Sequence, residues 1–95
     1  MLELVKDALR VSGNDLDTEI QHLIDAAKVD LKSAGVSEDK INGDDPLIRQ
    51  AIIVYCKAYF GYDDMGERFA EAYENFKRHL VVALEYAGLY RKSVL

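Results

Sequence analysis

The apolar residues of this chain recur at the period of an α-helix, and no other feature limits its fold as strongly. Ile20, Leu23, Ile24, Ala27, Leu31 and Ala34 fall at i, i+3, i+4, i+7, i+11 and i+14. Such spacing puts them in one narrow stripe, the mark of a helix with a single buried face. A helix from Leu16 to Ala34 is predicted, about 28 Å long at ~1.5 Å per residue. Asp15 or Asp17 is placed to cap its start, and Gly35 to end it.

The rest of the chain reads the same way. Leu2, Val5 and Leu9 make a shorter stripe, so a first helix is expected from Leu2 to Val11, broken by Ser12-Gly13-Asn14-Asp15. Asp45-Pro46 is a strong helix start, because the carboxylate can accept backbone N–H groups and proline fits the first helical position. The helix it opens is mostly apolar as far as Phe60. The run Ile52-Ile53-Val54-Tyr55 suits a strand by propensity, but the capped start and Gly61 after it favour helix. This segment is expected to be the central helix. A last helix is predicted from Glu67 to Tyr86, with Phe69, Tyr73, Phe76, Leu80, Ala83 and Ala87 as its stripe and Gly88 as its stop. Val36 to Asp44 is a polar connection in which Ile41 is the one large apolar residue, expected to pin the loop to the core. The fold class expected is all-α. It is a small single-domain bundle of about four helices, with residues 1–88 as the helical domain and 89–95 as a short C-terminal tail.

Composition narrows the function. Seventeen acidic against twelve basic residues give a net charge of −5, a poor basis for holding a phosphate backbone by bulk charge. The acidity is local: residues 1–44 carry ten acids and five bases, whereas residues 45–95 carry seven of each. The single cysteine fits a reducing compartment. Charges interrupt the first residues, which lack the apolar core of a signal peptide. The longest apolar run, Ala51 to Cys56, is far short of the ~20 residues of a membrane span. The expectation is a protein made and kept in the cytoplasm, without membrane contact.

Candidate chemistry is thin. Asp15, Asp17 and Glu19 alternate like the start of a calcium loop, but Ile20 and Ala26 stand where that loop needs Gly and Glu. The pairs Asp44-Asp45 and Asp63-Asp64 bracket the third helix at turns, where aspartate bonds locally. Cys56 lies in the most apolar helix and reads as packing, and His22 and His79 lack metal-ligand spacing. No catalytic residue, metal site or cofactor is therefore assigned. Lys77, Arg78, Tyr86, Tyr90, Arg91 and Lys92 form a basic, tyrosine-bearing end and are the candidate partner-binding residues. Tyrosine supplies an apolar body with a polar tip, which suits interfaces.

The opening of the chain carries more than periodicity. Val5-Lys6-Asp7-Ala8-Leu9-Arg10-Val11 is followed by Gly13 and Asp15-Leu16-Asp17, then by Ile20, Leu23, Ile24, Ala26, Ala27, Lys28 and Leu31. This resembles the small head–tail connector proteins of tailed bacteriophages and prophages, also described as adaptor, head-completion or DNA-packaging proteins. Their pattern is a short helix ending in Leu-Arg-Val/Ile, a Gly/Asp turn and a long helix with Ile-x-x-Leu-Ile-x-x-Ala. The resemblance extends over about residues 1–86. It implies a structural protein rather than an enzyme. It further implies that the subunits form a homo-oligomeric ring, matched to the twelvefold portal, that docks on the portal protein. The ring extends the DNA channel and seats a stopper or tail-completion protein. DNA passes through without sequence-specific binding. The implied location is the host bacterial cytoplasm during assembly and then the head–tail interface of the virion. The C-terminal end is the candidate element for docking. The alternative is a helical protein-binding module or small regulator without catalytic activity, and a small enzyme would have only Cys56 to use as nucleophile.

Overall fold

A computed structural model describes residues 1–61 and 65–83. Five helices follow one another: α1 (Leu2–Leu9), α2 (Asp17–Ala34), α3 (Glu38–Asn42), α4 (Pro46–Tyr59) and α5 (Gly66–Val82). There is no β-strand among the described residues, so the all-α reading holds.

The stripe on α2 is the buried face it was expected to be. Ile20, Ile24, Ala27 and Leu31 are buried, and Leu23 packs beside them. Gly35 ends α2 at φ 111°, in the left-handed region where a Cβ is unfavourable. The third predicted helix also forms as read. Asp45 Oδ1 accepts hydrogen bonds from the backbone N–H groups of Leu47, at 2.9 Å, and Ile48, at 3.2 Å. Removing a cap of this kind costs about 1 kcal/mol. Asp45→Ala is therefore expected to lower the stability of the domain by ~0.5–2 kcal/mol in urea denaturation, with no change of fold by circular dichroism.

Four expectations need correction. The link from Val36 to Asp44 is not all loop, because Glu38–Asn42 closes a short helix, α3, that delivers Ile41 into the core. The described residues thus hold five helices, the short α3 beside the four expected. The first helix stops at Leu9 rather than Val11, since Arg10 turns left-handed at φ 60°. The last stops at Val82 rather than Tyr86, where Ala83 becomes extended. Gly88, its predicted stop, lies outside the described residues. Finally, neither Asp15 nor Asp17 caps α2. Leu16 holds that position, and no side chain bonds the free N–H groups.

Asp17 is engaged elsewhere. Lys6, on α1, is only 6% exposed, unusually buried for a lysine. Its Nζ lies 2.8 Å from Asp17 Oδ1 and 3.4 Å from Asn14 Oδ1. The hydrogen bond with Asp17 raises the ammonium's pKa above its ordinary value despite desolvation. The pair staples α1 to the start of α2 across the intervening turn.

α4 is the central element, in contact with α1, α2 and α5. Ile48, Ala51, Ile52 and Cys56 form its buried side. α5 runs back along α4, as three contacts in succession show. A Cβ on Gly66 would stand 3.1 Å from the Ala58 carbonyl oxygen, Lys57 Nζ lies 5.4 Å from the centre of the Phe69 ring, and the Tyr73 ring meets Tyr55 edge-on at 5.0 Å. The end of α5 therefore lies away from the end of α4.

Candidate functional site

Several of the groups that could do covalent chemistry are engaged in the fold. Cys56 is fully buried, and burial pushes its thiol up to about 12. At neutral pH it is a thiol in the core, not a nucleophilic thiolate. Asp44 pairs with Arg49, and Asp45 caps α4. Asp63 and Asp64 lie outside the described residues. His79 Nδ1 stands 2.8 Å from the carbonyl oxygen of Asn75 on its own helix. Among the described residues no three His, Cys, Asp or Glu side chains gather as a metal site, and no helix is long and apolar enough to cross a membrane.

Of the six candidate partner-binding residues, two are described. Lys77 is turned inward. Its Nζ donates to Asp30 Oδ2 at 2.8 Å and to Glu74, and lies 5.1 Å from the centre of the Tyr73 ring. Arg78, next to it, is exposed and bonds Asn75 at 3.2 Å. Tyr86, Tyr90, Arg91 and Lys92 lie outside the described residues.

Sequence reasoning missed Asp30. The buried Tyr73 donates its hydroxyl to Asp30 Oδ2 at 2.6 Å, so one carboxylate oxygen receives both Tyr73 and Lys77 and ties α2 to α5. The signal was Tyr73 and Lys77 at i and i+4, on one face of α5, but nothing in sequence pointed to an acid 43 residues away. Burial alone would raise the Asp30 carboxyl. The hydrogen bonds from Lys77 and Tyr73 and the nearby ammonium charge outweigh it and hold the group below its ordinary value. A carboxylate lowered in the folded state stabilises the fold above its unfolded titration range, and that stability is lost as pH falls through the lowered value. Urea midpoints are thus expected to drop as pH falls below ~4, and Asp30→Asn should be less stable at pH 7 with a flatter acid profile. The Asp30 side chain is 39% exposed, so solvent screening limits the ion-pair share to about 1 kcal/mol or less.

Two clefts open among the described residues. A groove of about 620 Å³ lies between the start of α2 and the end of α4, walled by Asp15, Leu16, Glu19, Leu23, Tyr59 and Phe60, with His22 at its side. Leu16 and Tyr59 are exposed within it. Asp15 and Glu19 have no ion-pair partner among the described residues. A smaller cleft of about 280 Å³ beside α1 includes Leu4, Lys28, Asp44 and Arg49.

Two open clefts thus lie over a core whose one thiol is buried. Over residues 1–87 the chain matches the protein family described as phage connector protein. It belongs to the phage connector family. The match contains all five helices, both clefts and the Asp30 cluster, and it stops before Tyr90, Arg91 and Lys92. Comparison with curated proteins and with solved structures gave no match. Membership accounts for the opening motif. The Leu9-Arg10-Val11 ending is where α1 stops and turns left-handed, and the Gly13 to Asp17 stretch is the turn into α2. A connector has a structural role in the phage particle, at the junction of head and tail.

Proposed function

We propose that this connector works as one subunit of a ring that docks on the portal, lengthens the DNA channel and offers a seat to a stopper or tail-completion protein. The family match over residues 1–87 carries this reading. The physical features agree with it. The domain is small, its core is closed, and its only cysteine is buried. A ring needs two unlike surfaces on each subunit, and the acidic first half and neutral second half supply unlike surfaces. Acidic side chains along a lumen would repel DNA weakly, which suits a passage through which DNA slides without specific binding. Assembly takes place in the host cytoplasm.

Lys77, Arg78, Tyr86, Tyr90, Arg91 and Lys92 are the proposed partner-contacting set. Within it Arg78 is the exposed cation on α5, while Lys77 positions the helix through Asp30. Sedimentation of purified portal particles tests the reading: the chain should co-sediment with the portal of its own phage and stay in the supernatant without it. Absence of co-sedimentation across salt and pH would remove the portal from the account.

A further inference from the structure

The groove between α2 and α4 combines exposed apolar side chains with a rim of acids that have no ion-pair partner among the described residues. Leu16, Leu23, Tyr59 and Phe60 supply the apolar wall, and Asp15 and Glu19 the charge. Its volume, about 620 Å³, falls in the range of ~300–1,000 Å³ that accommodates several side chains of a ligand. The smaller cleft offers no such direction, because its Asp44 is already paired with Arg49 and Lys28 adds a charge of the opposite sign.

The complementary chemistry is in this same chain. Residues 89–95 read Leu-Tyr-Arg-Lys-Ser-Val-Leu: two bases and no acid, flanked by apolar residues. Two cations match the two carboxylates of the groove, and the flanking residues match the apolar wall. The geometry points to residues 89–95 of one copy seated in the α2–α4 groove of the next.

A second copy is favoured over self-docking by where the chain leaves the bundle. The groove is at the Tyr59 end of α4, and α5 runs away from that end for 17 residues, about 25 Å at ~1.5 Å per residue. Six residues span at most ~22 Å, less than the length of α5, so residue 89 could not regain that end within one subunit even with residues 84–89 fully extended. A neighbouring copy needs no reversal. With the end of α5 at one end of the subunit and the groove at the other, each copy gives one contact and receives one. That is a heterologous, head-to-tail interface, which closes into a ring when the rotation permits. The inference rests on the ring reading for its purpose. It also names the occupant of the partner-contacting residues Tyr90, Arg91 and Lys92.

Charge reversal in the full chain tests it without a portal. Asp15→Lys with Glu19→Lys gives a basic groove facing a basic segment. Arg91→Glu with Lys92→Glu gives an acidic segment facing an acidic groove. In light scattering at low salt the unaltered chain should gain mass with concentration, and each double variant alone should associate about tenfold or more weakly. An equimolar mixture of the two should recover association, because each groove then meets the opposite charge. Wild-type-like association of both variants, or a mixture no better than its parts, would overturn the proposal.

A second measurement does not depend on the folding of the charge variants. Benzoylphenylalanine replaces Tyr90 in an equal mixture of isotopically heavy and light chains. Photocross-links should join residue 90 to residues 15–23 or 59–60 across heavy–light pairs. Cross-links within one chain only, or elsewhere on the surface, would contradict the inference. If portal docking holds while these tests fail, the ring reading survives with another contact between subunits. If these tests succeed and portal docking fails, the self-association stands alone.

Discussion

Tyr73→Ala is expected to remove ~3–5 kcal/mol of folding stability, the usual cost of deleting a fully buried aromatic side chain. The residue is 0% exposed, its ring meets Tyr55 edge-on, and its hydroxyl reaches Asp30. A domain of this size holds roughly 5–10 kcal/mol in all, so the variant should be near the limit of folding at 37 °C. Tyr73→Phe separates the two contributions. It keeps the ring and loses one hydrogen bond to a carboxylate, a loss of about 1.5–3 kcal/mol in general. Here the smaller figure applies, because Asp30 is partly exposed and keeps Lys77. Urea denaturation of the three proteins at pH 7 gives the comparison. An alanine variant within 1 kcal/mol of the parent would place Tyr73 outside the core, contrary to the structure.

Ile24→Ala should cost ~2–5 kcal/mol for the same reason, loss of buried methylenes plus the cavity left behind. Ile24 is the middle of the buried stripe of α2, the helix that packs against α4, and belongs to the core. Val29, on the same helix, faces solvent at 65% exposure. Val29→Ala should change stability by no more than about 0.5 kcal/mol, and alanine's higher helix propensity opposes even that. The contrast between the two measures which face of α2 is buried. Equal losses at both positions would mean that the helix is rotated or that its second face is also covered.

Much of the fold was readable because its signals are local. The stripe of α2, Gly35 as its end, and Asp45-Pro46 at the start of α4 each depend on residues within a few positions of one another. The strand-like Ile52-Ile53-Val54-Tyr55 was correctly read as helix from its flanks. The misreadings share a different cause. Asp17 looked like a cap, but Lys6 comes from α1 to claim it, and a contact across a turn leaves no periodic mark. α3 is too short to show a period, so only Ile41 betrayed it. The link of Asp30 to Tyr73 and Lys77 depends on how α2 and α5 pack, which no local rule contains. Function was legible in a narrower way. The residues offered an enzyme little beyond Cys56, while the connector reading came from the motif between Val5 and Leu31. The α2–α4 groove was not legible at all: it is formed by residues 15–23 and 59–60, which only the fold brings together.

The central claim concerns the assembly rather than the monomer, and imaging tests it most directly. Purified chain is mixed with the portal of its own phage and examined by negative stain. The account predicts an added ring of density on the narrow end of the portal, coaxial with the channel and absent from portal alone. Portals that remain bare at saturating concentrations, or that carry the chain at scattered positions off the axis, would contradict it.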